Sequence, residues 1–306
     1  MNFPFYIARR YLFSKKKHNA INIISGISVC GVALATLALV CTLSVFNGFQ
    51  DMVASFFTAF DPQLKITVRE GKVFDGQDKR IGVVCLLPEV DVFTETLEEN
   101  AMVQYKDRQA MVVLKGVEDN FEELTAIDSI LYGAGDFLLH DSIVNYGVMG
   151  GELVATLGTG LQFVDPLQVY LPKRNAKVNM ANPGASFNRD YLYSPGVVFV
   201  VNQQEYDGKY ILTSLDFLRQ LLDYTTEVSA IELKLKPGAN VSSVQAKIEK
   251  ILGNDFIVQN RYQQQADVFR IMEIEKLISY LFLTFILMIA CFNVIGSLSM
   301  LILDKK

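Results

Sequence analysis

Two histidines, four cysteines and a scatter of carboxylates are the side chains from which this 306-residue chain would have to build chemistry. His18 and His140 are the only imidazoles, and His18 lies in a basic flank just ahead of a long apolar run. A histidine-based triad or a zinc site therefore lacks parts. Cys30, Cys41 and Cys291 fall inside apolar runs. Cys85 is then left without a disulfide partner in the polar middle of the chain, and all four read as small apolar side chains. No G-x-x-x-x-G-K-S/T occurs, and the glycines of Gly147 to Gly160 do not form a G-x-G-x-x-G between a strand and a helix, so no phosphate cradle is expected. The adjacent carboxylates Glu98/Glu99 and Glu122/Glu123 are expected to point apart, into solvent. The expectation is a protein with no catalytic residue, no metal site and no cofactor of its own.

The elements that would position these residues are sharply divided by charge. His18 to Gln50 is a run of 33 residues without Asp, Glu, Lys or Arg, and Leu277 to Leu303 is a second run of 27. A bilayer-spanning helix needs about 20 apolar residues. Two spans are therefore predicted, within 19–48 and 265–303. Ahead of the first lie Arg9, Arg10, Lys15, Lys16 and Lys17 with no acid, a bias that places the N-terminus in the cytoplasm and the middle segment outside it. Residues 1–18, mixing these bases with Phe3, Phe5, Tyr6, Tyr11 and Phe13, suit an amphipathic helix at the cytoplasmic interface.

Apolar periodicity continues past the first span, through Phe49, Met52, Val53, Phe56 and Phe60, until Pro62 ends it. A helix running to about residue 60 would outreach the membrane as a stalk. Residues 265–276 repeat the pattern ahead of the second span. Gly31, Ala35 and Ala38 recur at three or four residues as a small-residue stripe, and Asn293 with Gly296 offers a similar face on the second span. Such faces suit packing against further helices.

Asp51 to Glu275 carries 20 Lys+Arg against 32 Asp+Glu, a net of −12 (20 − 32). This balance argues against nucleic-acid binding. Strands are predicted at Gln63–Val68, Ile81–Leu86, Asp91–Thr96, Ala110–Leu114, Leu167–Leu171, Gly196–Asn202 and Ser229–Lys236. Helices are predicted at Gly151–Gly158, Ser214–Tyr224 and Ser242–Leu252. Runs of strands broken by single helices give an α+β domain over 61–264, large enough for two lobes. The longest loop candidate, Pro172 to Pro195, holds Lys173, Arg174, Lys177 and Arg189 against one acid, Asp190. A basic loop on an acidic domain is a candidate docking site, and a solvated hairpin is the plainer reading.

Short motifs at both ends carry a resemblance. Phe5-Tyr6-Ile7-Ala8-Arg9-Arg10-Tyr11-Leu12, Ile23 to Val29, Leu43 to Gln50, Asp61-Pro62-Gln63-Leu64 and Phe292 to Leu298 resemble the terminal signatures of the lipoprotein-releasing (LolC/LolE-type) ABC transporter permeases, in the FtsX/MacB-like superfamily. Gly150 to Gly158 is similar to a segment in the middle of that family. The resemblance implies two long membrane helices flanking a large periplasmic α+β domain of MacB-like core type, in the inner membrane. It also implies a cytoplasmic ATPase as a separate subunit, a second permease copy or paralogue, lipoprotein substrates and a periplasmic carrier. In one paralogue of the pair a hairpin hook recruits the carrier. Pro172 to Pro195 lies where the hook would fall, which makes Arg174, Lys177, Phe187 and Arg189 the candidate contacts. Permeases of this kind continue past the second span, so 304–306 would be the cytoplasmic end of a chain lacking the rest of the permease domain. Alternatives are a related permease that controls a cell-wall hydrolase or expels substrates, and a two-span sensor or adaptor.

Overall fold

The computed structural model describes residues 3, 6, 19–58, 60–174 and 186–303. It divides into two units, Met1–Met52 with Asp267–Lys306, and Val53–Ala266.

The first unit is built on two long helices, Asn19–Thr58 and Ala266–Leu303. Both are long and apolar enough to cross a membrane, over Gly26–Gln50 and Ala266–Gly296. Hydroxyls within them return to the preceding turn: Thr36 donates to the Val32 carbonyl at 2.9 Å and Thr284 to the Tyr280 carbonyl at 2.8 Å. In hydrocarbon there is no water to satisfy them otherwise. Between the helices, Ser28 Oγ donates to the Asn293 carbonyl at 3.5 Å and Lys276 Nζ to Asn47 Oδ1 at 2.6 Å.

The second unit is the α+β domain. Its strands are β1 (Leu64–Val68), β2 (Phe74–Asp75), β3 (Val90–Tyr105), β4 (Arg108–Val117), β5 (Leu131–Gly133), β6 (Val148–Gly150), β7 (Leu167–Pro172), β8 (Phe187–Leu192), β9 (Val197–Phe199), β10 (Tyr210–Ser214), β11 (Glu227–Val228), β12 (Ala230–Leu235) and β13 (Phe256–Asn260). The main sheet runs β13-β1-β12-β3-β4-β10-β6-β9-β5, with β7 attached to β3 and β8 to β7. The spine is β3, 16 residues long. Along one edge its first half pairs with β12 and Met102–Gln104 with β7, while β4 follows the opposite edge from Thr96 to Tyr105. One strand thus serves two hydrophobic clusters. Leu64, Ile66, Val90, Leu233 and Ile248 belong to one, and Val103, Leu114, Leu153, Val169 and Leu218 to the other.

Local signals account for most elements. Ser214 caps the helix Leu215–Leu222 by accepting from Phe217 N–H at 3.3 Å. Asn240 caps Val241–Leu252 in the same way. Gly158 takes a left-handed conformation, φ 66°, to end Gly151–Leu157. Gly150 is required by crowding, because a Cβ there would lie 2.4 Å from the Asp207 carbonyl oxygen. The predicted strand Ile81–Leu86 is instead helical, Lys79–Cys85. Asp78 accepts from Arg80 N–H at 2.8 Å and starts the helix, and Ile81 and Val84 then point together into the core. Capping and tertiary burial override the β-branched composition. The predicted loop Pro172–Pro195 contains a strand as well, since β8 pairs antiparallel with β7, with Tyr170 opposite Arg189.

Candidate functional site

The most concentrated polar chemistry in the domain lies where its chain begins and ends. Phe60 follows the first long helix, and its side chain is 1% exposed. Its ring packs against Phe199, Tyr206 and Tyr210, with centroids 5.3, 4.5 and 5.6 Å away. Above this ring, at 5.1 Å, sits the ammonium of Lys115. Lys115 is buried on β4 and pairs at 2.7 Å with Glu232, itself fully buried on β12. Lys65 on β1 pairs with Glu98 on β3 at 2.8 Å. The two pairs are cross-linked at 3.8 Å, Lys65 to Glu232 and Lys115 to Glu98. Four adjacent strands thus contribute two cations and two anions to one lattice. Such groups are tolerated inside a sheet only when paired.

The field of this lattice is visible in its members. Burial would raise the Glu98 carboxyl, but the charges of Lys65 and Lys115 outweigh it and hold the group down at about 2. Burial works against the Lys65 ammonium, yet Glu98 and Glu232 win and raise it above the ordinary lysine range. Tyr210 donates to Glu98 at 3.4 Å, and its phenol is raised first by burial and then by that carboxylate.

Next to the lattice, Asp61 is 6% exposed. Tyr206 OH donates to its Oδ1 at 2.7 Å, and Gln265 Nε2 donates to its Oδ2 at 2.9 Å. Gln265 also reaches the Tyr206 hydroxyl. Arg261 Nε donates to the Asp61 backbone carbonyl at 3.1 Å, and Gln264 Nε2 to that of Pro62 at 3.3 Å. Burial raises the Asp61 carboxyl above the usual carboxylate range. The bonds from Tyr206 and Gln265 and the charges of Lys115 and Lys65 oppose this without overcoming it. A cavity of about 230 Å³ opens beside these residues, lined by Asp61, Lys65, Thr67, Glu98, Gln259 and Gln264 among others.

The residues predicted as sites stand elsewhere. Arg174 lies 5.0 Å over the Tyr224 ring and 3.9 Å from Glu227. Phe187 is half-buried on β8, and Arg189 is exposed, 5.7 Å over the Tyr191 ring. Lys177 lies outside the described residues. In the helical unit Ala35 is buried, Gly31 and Ala38 are half-exposed, and Asn293 and Gly296 are exposed. A Cβ at Gly31 or Gly296 would meet open space.

Glu98 corrects the reading of Glu98/Glu99 as solvated. Strand alternation sends the two side chains to opposite faces, and Glu98 enters the ionic lattice while Glu99 meets Lys72 at 3.1 Å. Lys65, Lys115, Glu232, Tyr206 and Gln265 were not singled out by type or spacing. A usable signal was present for two of them: Lys115 interrupts the apolar run of β4, and Glu232 that of β12.

The model of the MacB-like periplasmic core domain family matches residues 25–251. The chain belongs to that family. Its MacB-like match spans most of the first long helix and the domain up to the helix Val241–Leu252. Among curated relatives, the lipoprotein-releasing system transmembrane protein LolC of Xylella fastidiosa is 22% identical over 98% of this chain and 70% of its own length. LolE of Haemophilus influenzae is 23% identical over 100% and 72%. LolC of Neisseria meningitidis is 23% identical over 98% and 71%. The crystal structure of the periplasmic region of MacB from Actinobacillus actinomycetemcomitans aligns over 69% of this chain and 94% of that one, at 10% identity and a TM-score of 0.44. This MacB-like chain carries two apolar helices on either side of its α+β domain in sequence, and the curated relatives it resembles over nearly its whole length are named as lipoprotein-releasing transmembrane proteins.

Proposed function

We propose that the chain is the permease subunit of a lipoprotein-releasing ABC transporter. It sits in the inner membrane with its N-terminus in the cytoplasm and its large domain in the periplasm. A separate cytoplasmic subunit hydrolyses ATP, and the two long helices pass the resulting motion to the domain. The domain then lifts lipoproteins out of the membrane and hands them to a periplasmic carrier. One observation carries this reading: relatives named as lipoprotein-releasing transmembrane proteins match 98–100% of the chain, both apolar helices included. The orientation rests on the five bases and no acid ahead of the first span.

Two surfaces are assigned roles within this reading. The β7–β8 hairpin, with Arg174, Lys177, Phe187 and Arg189, is the docking edge for the carrier. The small-residue faces at Gly31, Ala35, Ala38, Asn293 and Gly296 pack against a second permease copy or paralogue, and the open space beside Gly31 and Gly296 leaves room for a close approach. The test is capture of the periplasmic carrier by the detergent-solubilised chain, with and without residues 173–192. Capture lost on deletion supports the assignment, and undiminished capture refutes the hairpin. A chain that captures no carrier in either form would favour the second reading, a permease of the same MacB-like domain family with another target.

A further inference from the structure

The bonds around Asp61 join residues that are far apart in the chain and next to its membrane helices. Asp61 lies three residues beyond the end of the helix Asn19–Thr58, and Gln265 immediately precedes the helix Ala266–Leu303. The Asp61–Gln265 bond closes a separation of 204 residues. Tyr206, from the short helix Gln204–Asp207, donates to the same carboxylate and anchors it to the body of the domain. Arg261 and Gln264 add two further bonds to the backbone carbonyls of Asp61 and Pro62.

We propose that Asp61, Tyr206 and Gln265 form an openable clasp between the two chain segments that lead to the membrane helices, with the adjoining polar cavity receiving the Asp61 carboxylate when the clasp opens. Three features separate a clasp from a permanent weld. The carboxylate is held by neutral donors, a phenol and an amide, whereas a few residues away Glu232 and Glu98 are each locked to an ammonium. A buried carboxylate without a paired cation is costly, so the closed state is held by a modest margin. The space beside it is polar and large enough for water, with Thr67, Gln259 and Gln264 on its walls to bind that water. Behind the clasp, the Lys65–Glu98–Lys115–Glu232 lattice and the packed Phe60 ring keep the sheet intact, so opening is local.

Opening moves the Asp61 carboxyl from protein to water, and the closed state therefore prefers its protonated form. The sign follows: acid favours the closed clasp, and rising pH favours the open one. The ionisable groups facing Asp61 are Tyr206, Tyr210, Arg261, Lys65 and Lys115, with Glu98 and Glu232 behind them. Glu98 is held ionised well below this range, and Lys65 well above it. This inference takes its meaning for transport from the permease reading, but its test does not depend on transport.

The experiment is hydrogen exchange by mass spectrometry on the full chain in lipid nanodiscs, from about pH 4, near the ordinary carboxylate value, up to about pH 8, with rates corrected for intrinsic chemistry. Peptides covering 60–67, 203–211 and 259–266 should open more at the upper end, by up to about tenfold for each unit separating the closed and open acidities of one carboxyl. Asp61→Asn should abolish that dependence, and Tyr206→Phe should raise exchange in the same peptides at every pH. Peptides from β3, β4 and β12 should stay protected throughout. An unchanged pH dependence in Asp61→Asn, or loss of protection in β3 and β4 together with the clasp peptides, would overturn the proposal. Either failure leaves the permease reading standing, because carrier capture measures that separately.

Discussion

Replacing Lys115 with methionine removes the central cation of the lattice and keeps most of its volume. Lys115 is 2% exposed, and Glu232, 2.7 Å away, is 0% exposed. In the variant Glu232 retains Lys65 at 3.8 Å and the Thr96 hydroxyl at 3.4 Å. Its second oxygen already lacks a hydrogen-bond partner among the described residues. Stranding one member of a buried pair costs about 3–5 kcal/mol. The remaining Lys65 contact puts the expected loss near the lower end, about 3 kcal/mol. The cation over the Phe60 and Phe121 rings is lost as well, at 5.1 and 5.3 Å, which adds several tenths to about 1 kcal/mol. For a domain of this size the total of about 3.5–4 kcal/mol corresponds to a fall in melting temperature of about 7–16 °C. Urea unfolding of the full chain in detergent measures it through tyrosine emission, since the chain has 13 tyrosines and no tryptophan. The double variant Lys115→Met, Glu232→Leu should recover most of the loss, because an apolar replacement of both partners strands no charge. A single variant within about 1 kcal/mol of the parent, or a double variant less stable than the single one, would refute the account of the lattice.

Two further outcomes follow from charge and burial. Burial, with the nearby charges of Glu95 and Glu118, pushes the Cys85 thiol up to about 11 from its ordinary 9.0. Its alkylation at neutral pH should therefore run about a hundredfold slower than that of a free thiol, as read by timed mass spectrometry, and rates equal to the free thiol would contradict the burial. The Glu98 carboxyl, held at about 2 in the folded domain, contributes stability that is complete above its unfolded value and disappears as pH falls through about 2. A pH series of urea midpoints should show Glu98→Gln losing its disadvantage against the parent as acid is added, and a disadvantage constant down to acid pH would argue against the pairing.

Features that depend on neighbours in the chain were legible before the structure. The strands over Ala110–Leu114, Leu167–Leu171 and Ser229–Lys236 follow from their apolar and β-branched runs, and the helix Leu215–Leu222 from its Ser214 cap and leucine face. The misreading of Ile81–Leu86 has a local cause too. Its composition fits either state, and the decision came from the Asp78 cap and from burial of Ile81 and Val84. The hairpin strand β8 was hidden because Phe187-Asn188-Arg189-Asp190-Tyr191 is mostly polar, and its pairing with β7 supplies what its composition does not.

By itself the sequence determined the division of the chain: two charge-free runs able to span a bilayer, an acidic α+β segment between them, and terminal motifs that resemble those of one permease family. Hydropathy and periodicity are sums over adjacent residues, so they need no knowledge of the fold. Only the tertiary structure decided that Lys65, Glu98, Lys115 and Glu232 meet, and that Asp61 closes on Gln265. Those contacts depend on the order β1-β12-β3-β4 across the sheet and on the return of β13 beside β1. Strand order brings distant residues together through pairing and packing that no short window of sequence contains.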